Sequence, residues 1–233
     1  MTDLDMLLRA LASPARLRIL AILLRHQRST DARTHAPLDG RTRPSLLAEA
    51  LGLHPTTVTN HLKTLLRLRL VRYWKKSRSK FYTIRRVHTG SLRARLLDRL
   101  RDELPRMIPA LPAHTPAKPF ARRTRSLRHG DPRQGPLGPV WNVFTSFSNF
   151  RRMLMLRLLV GRTGASLPTL CVVADIAPMT VAYHLRKLFR RRIIESIGVE
   201  GRTHYRLRAQ QPSALQEFMT WLVLAELGIP KAA

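Results

Sequence analysis

One cysteine, Cys171, stands in the whole chain. It excludes an intrachain disulfide and a four-cysteine zinc site. Carboxylates are scarce, 14 Asp and Glu among 233 residues, few for a nuclease that must hold metal ions. No stretch reaches the ~18 uncharged apolar residues of a membrane span. The opening Met1-Thr2-Asp3-Leu4-Asp5 is acidic and polar, unlike a secretory signal peptide. Also missing are a phosphate-binding glycine loop, Gly-x-Ser-x-Gly, His-Glu-x-x-His and zinc-ligand spacings. These absences set the expectation of a cytoplasmic chain with no membrane contact, no enzymatic activity and no cofactor.

Cations are abundant. Lys and Arg number 42 and the net charge is +28, with 35 of the 42 being Arg. A base-composition bias explains Arg in place of Lys but not the missing carboxylates. A charge of this size calls for an anionic partner, and nucleic acid is the usual one. The hydrophobic fraction of 44% allows a real core. Eight of the 16 prolines fall between Pro105 and Pro139, together with Arg122, Arg123, Arg125, Arg128 and Arg133. That composition predicts a Pro/Arg-rich linker over 109–140, between a first domain over 1–108 and a second over 141–233.

The flanking segments resemble one another. Shifted by 123, residues 47–85 lie on 170–208 without a gap, and 11 of 39 positions are identical. Among them are Pro55/Pro178, Thr57/Thr180, Val58/Val181, His61/His184, Leu62/Leu185, Leu65/Leu188 and Tyr82/Tyr205. Upstream the shift is 136, placing Leu17, Leu20 and Leu23 on Met153, Leu156 and Leu159. The first copy therefore has 13 extra residues within 26–44, a polar stretch expected to loop out.

Periodicity gives each copy one order of elements. In the first, helices are expected over 4–12, from Ser13-Pro14 onwards, over 45–51 and over 55–69, the last with Val58, Leu62, Leu65 and Leu66 inward. Gly52 suits a left-handed helix end. Alternation over 70–75 and 80–85 predicts a β-hairpin with 76–79 at its tip, and 91–107 a closing amphipathic helix. The expected fold class is mainly α with small β-hairpins, as two tandem winged helix-turn-helix domains. In that plan the fourth helix enters the major groove and the hairpin is the wing. Thr56, Thr57, Thr59, Asn60 and Lys63 form the candidate reading face, with one Thr expected to cap the helix. Lys75, Lys76, Arg78 and Lys80 form a basic wing tip for backbone or minor groove. In the second copy the candidate contacts are Thr180, Tyr183, Arg186, Lys187 and Arg202. Met179 and Ala182 there cannot replace the hydrogen-bonding groups of Thr56 and Thr59.

The strings Ala10-Leu11-Ala12-Ser13-Pro14-Ala15-Arg16-Leu17-Arg18-Ile19-Leu20, Leu47-Ala48-Glu49-Ala50-Leu51-Gly52-Leu53 and Thr57-Val58-Thr59-Asn60-His61-Leu62 resemble the ArsR family of winged-helix repressors. Leu70-Val71-Arg72 and Phe81-Tyr82-Thr83-Ile84 are similar to that family's wing strands. The resemblance covers about 4–106, and more weakly about 141–228. It implies a cytoplasmic prokaryotic transcription regulator acting on double-stranded DNA. Family members are usually homodimers paired through their first and last helices, so a tandem chain departs from the pattern. Many relatives sense metals. Here Cys171 has no neighbouring Cys or His, and 91–107 and 213–228 contain no His, so no metal site is expected.

Three functions follow from these residues. One is a sequence-specific DNA-binding regulator, a repressor by resemblance. The others are an architectural or RNA-binding protein with little sequence preference, and a protein-interaction module. The last helix of the second copy, 213–228, is apolar around nearly its whole circumference, and Trp141, Phe144, Phe147 and Phe150 precede that copy's reading unit. They are expected to pair the copies as an intramolecular pseudo-dimer, with a homodimer of chains as the rival.

Overall fold

The computed structural model describes residues 3–29, 42–86, 88, 90–107, 137–160 and 163–226. It is mainly helical with two small antiparallel sheets. Two compact units divide at 141/142. The extra loop of the first copy and most of the Pro/Arg-rich linker lie outside the described residues. The linker span ends in a helix, which begins at Gly138.

In the first unit the order is α1 (Asp3–Leu11), α2 (Pro14–Ser29), α3 (Pro44–Leu51), α4 (Pro55–Arg67), β1 (Val71–Lys76), β2 (Ser79–Ile84) and α5 (Leu92–Met107). Leu4, Leu7, Leu8 and Leu11 give α1 one buried stripe, and α2 follows with Leu17, Leu20, Leu23 and Leu24 buried. α2 packs on α5, β2, α4 and α3, so it is the central helix of this unit. Ser91 starts α5 by accepting from the Ala94 N–H at 3.1 Å. Trp141 closes the unit, its indole N–H donating to the Ala12 carbonyl at 2.9 Å.

The second unit carries α6 (Gly138–Phe147, from Asn142 on), α7 (Phe150–Leu159), β3 (Ala165–Ser166), α8 (Leu167–Ala174), α9 (Pro178–Arg190), β4 (Ile194–Val199), β5 (Arg202–Leu207) and α10 (Ala214–Glu226). The bounds of α8, α9, β4 and β5 lie 123 residues after those of α3, α4, β1 and β2 at every end. The same shift carries the left-handed backbone of Gly52, Arg69 and Ser77 onto Asp175, Arg192 and Glu200. It also carries the hydrogen bond from Arg85 N to Leu70 O onto that from Arg208 N to Ile193 O.

Upstream, the shift of 136 carries a side-chain device. Arg16 donates from Nε to Ala10 O and from Nη2 to Arg9 O. Arg152 donates from Nε to Ser146 O at 2.9 Å and from Nη2 to Thr145 O. Carbonyls in the last turn of a helix lack intrahelical donors, and a cation there also meets the negative end of the dipole. Burial lowers the pKa of both guanidiniums.

Several expectations are corrected. Leu66 is half-buried, because the inward stripe of α4 is Val58, Leu62 and Leu65. The first hairpin turns at Ser77-Arg78 alone, since Lys76 and Ser79 already pair. Phe150 is 60% exposed; it opens α7, whose cap Asn149 accepts from Arg152 N at 3.2 Å. α10 buries Leu215, Met219 and Leu222, while Phe218, Trp221 and Leu224 are half-buried and Ala225 is exposed. Its packing is therefore stronger on one stripe than its all-round apolar sequence predicts. β3 has no counterpart in the sequence expectations. Its two residues pair with Tyr205 and His204 on β5, a contact no local pattern announces.

Candidate nucleic-acid interface

α3 ends in a left-handed residue, Gly52, at φ 61° and ψ 32°. Its N–H donates to Glu49 O and that of Leu53 to Ala48 O, closing the helix within one turn. Pro55 then opens α4 with its φ already helical. The cap is His54 rather than a threonine. Its Nδ1 accepts from the Thr56 N–H at 3.3 Å and lies 2.6 Å from the Thr56 hydroxyl.

The buried stripe Val58, Leu62, Leu65 turns the opposite side of α4 outward. Thr56, Thr57, Asn60 and Lys63 are exposed and Thr59 is half-buried. Thr59 donates its hydroxyl to Pro55 O at 2.9 Å, and Thr56 is held by His54. No hydrogen bond occupies the side chains of Thr57 and Asn60 among the described residues. Thr57, Asn60 and Lys63 recur every three residues, which places them along one side of the helix.

The hairpin beside α4 is short and basic. In register, Trp74 faces Phe81, and their rings stack at 5.6 Å between centroids. Arg43 covers the Phe81 ring at 4.9 Å. On the other face Tyr73 lies opposite Tyr82, and Lys80 Nζ sits 5.1 Å from the Tyr73 ring. Lys75 is directly opposite Lys80. Lys75, Lys76, Arg78 and Lys80 are all exposed. From Ala50 to Leu97 the chain holds twelve Lys and Arg and no carboxylate. Asp3, paired with Arg93 at 2.8 Å, lies on α1, and Asp98, paired with Arg101, lies on α5.

The equivalent surface of the second unit is different. Thr180 is half-buried and Arg186 exposed. Tyr183 is exposed, with the Nζ of half-buried Lys187 4.2 Å from its ring. Arg202 is exposed at the start of β5, after Glu200-Gly201. Glu195 on β4 holds Arg206 at 2.7 Å and Arg208 at 3.6 Å, so that hairpin neutralises part of its own charge. The sequence reading sets Met179 in the place of Thr56 on the outward face, and it is 84% exposed; the 81% exposure of Val172 is what that reading missed. The signal was the substitution of Glu49 by Val172 in the aligned copy.

Each fourth helix carries one histidine next to the upstream arginine. Burial, then the Arg16 charge, lowers the pKa of His61. For His184 burial is again the largest cause, followed by Arg152, Arg151 and Lys187, and the pKa falls to about 4. His184 is buried, and its Nδ1 has no hydrogen-bond partner among the described residues. Cys171 is half-buried on α8. Among the described residues no three His, Cys, Asp or Glu side chains gather in a way that could hold a metal ion. No single described helix is long and apolar enough to cross a membrane. No family model, curated protein or solved structure matches the chain.

Proposed function

We propose that the chain is a double-stranded-DNA-binding transcriptional regulator, a repressor by its resemblance to ArsR-type proteins, built from two winged helix-turn-helix units. α4 reads the major groove through Thr57 and Asn60, with Thr56 and Thr59 closer to structural roles and Lys63 on a phosphate. The β1–β2 wing lies along the backbone or minor groove through Lys75, Lys76, Arg78 and Lys80.

The carrying observation is the carboxylate-free surface formed by the exposed side of α4 and its adjoining hairpin. Opposed like charges such as Lys75 and Lys80 destabilise a strand pair. A polyanion bound along the hairpin removes that repulsion. Metal-centred or enzymatic chemistry has no comparable support.

A second reading, binding with little sequence preference, is favoured by one observation: two of the four hydroxyl or amide groups at the start of α4 are already hydrogen-bonded within the helix. Selection of operator sequences from a random duplex pool separates the two. A defined, enriched motif supports the regulator, and an unenriched pool supports the architectural protein. In the second unit, Thr180, Tyr183, Arg186, Lys187 and Arg202 offer a weaker duplex contact, dominated by charge.

A further inference from the structure

The second unit has an α8–α9 surface where the first has its polar reading face. Val172 and Val173 end α8 and are 81% and 51% exposed. Met179 and Tyr183, one turn apart on α9, are 84% and 52% exposed. The aligned residues of the first unit are Glu49, Ala50, Thr56 and Asn60. The two helix axes turn through 114°, so the four side chains flank a sharp corner. Along α9 the stripe continues from Met179 and Tyr183 into Arg186 and Arg190, both exposed and without an ion pair among the described residues. The surface is apolar at one end and cationic at the other.

We propose that this α8–α9 surface docks an acidic amphipathic helix of another protein. Val172, Val173, Met179 and Tyr183 cover its apolar face, and Arg186 and Arg190 meet its carboxylates. Charge decides the occupant. A second copy of this chain would set Arg186 and Arg190 against their equals, and four side chains bury on the order of a few hundred Å², far below a stable dimer interface. Base edges are mostly polar, with the thymine methyl the one apolar group in the major groove. A short helix with apolar and acidic faces satisfies both ends of the surface at once. This surface uses none of the α4 residues proposed to read DNA, but it shares Tyr183 and Arg186 with the weaker duplex contact proposed for the second unit, so the helix and a duplex would exclude one another there.

The test uses the full chain and a fluorescein-labelled synthetic peptide of about 14 residues, four helical turns, with Leu on one face and Glu on its flanks. A scrambled peptide of the same composition controls for bulk charge. Fluorescence anisotropy should show the amphipathic peptide binding about tenfold more tightly than the scrambled one. The double variant Val172→Ser, Met179→Ser should lose that preference while keeping the wild-type melting curve and duplex affinity. Equal binding of the two peptides would overturn the proposal, as would a preference that survives the double variant. So would competition in which phosphatidylserine vesicles, rather than unlabelled peptide, displace the probe in a Val172- and Met179-dependent way.

Discussion

At the start of α4, four hydroxyl or amide side chains lie within five residues, and two are engaged inside the helix. In the proposed DNA-reading role of α4, base selection falls on Thr57 and Asn60. Replacing Asn60 with Ala should cost ~1–3 kcal/mol on the preferred duplex and flatten preference at one base pair. Titrations on preferred and random duplexes check this, and equal losses on both would place Asn60 outside base reading. Lys76→Ala and Arg78→Ala should instead weaken every duplex alike, each lowering the salt slope by about 0.9 per lost phosphate contact. His184 gives a pH prediction. Its folded pKa is lowered from 6.5 to about 4, by burial first and then by Arg152, Arg151 and Lys187. Below about 6.5 the unfolded chain takes up a proton that the folded unit refuses until about pH 4. The stability tied to this group is thus complete above that window and falls as pH drops through it. Urea midpoints at pH 7 and pH 5 should separate more for the wild type than for His184→Leu.

Among the elements, the hairpin turn and the arginine cap are the places where single changes act on folding. Ser77 holds a left-handed φ of 53° that glycine adopts freely. Ser77→Gly should raise stability by about 1 kcal/mol, read from the unfolding midpoint, with duplex affinity kept. Arg152→Ala removes charged hydrogen bonds to the end of α6 and should destabilise the second unit by about 2–3 kcal/mol. Much of this layer was legible from local chemistry. Pro55 and Pro178 mark helix starts, Gly52 marks an end, and the paired strings Pro-x-Thr-Val-x-x-His-Leu fix the register of the repeat. What stayed hidden depends on contacts distant in sequence or on competition between neighbours. β3 exists only through β5. His54 outcompetes the threonines for the cap, since its Nδ1 reaches the Thr56 N–H from the residue just before the helix. The Arg16 and Arg152 contacts span six or seven residues across a helix break, beyond any helical period.

For the molecule as a whole, the dominant quantity is a net charge of +28. Phosphate neutralisation makes any duplex attractive to it, so affinity alone says little about function. The expectation that one chain supplies both DNA-binding units predicts a single-chain particle in sedimentation at micromolar concentration. A footprint over one asymmetric site should accompany it. A stable two-chain particle protecting a true palindrome would replace that expectation with a homodimer of chains. The most direct test of sequence-specific regulation is affinity for the selected duplex against random duplex of equal length, across a salt series. Specific reading by α4 predicts at least ~10³-fold tighter binding to the selected site at physiological salt. That ratio should survive as added salt weakens both duplexes together. Equal affinities throughout the series would contradict it and leave a basic protein that holds DNA by its backbone alone.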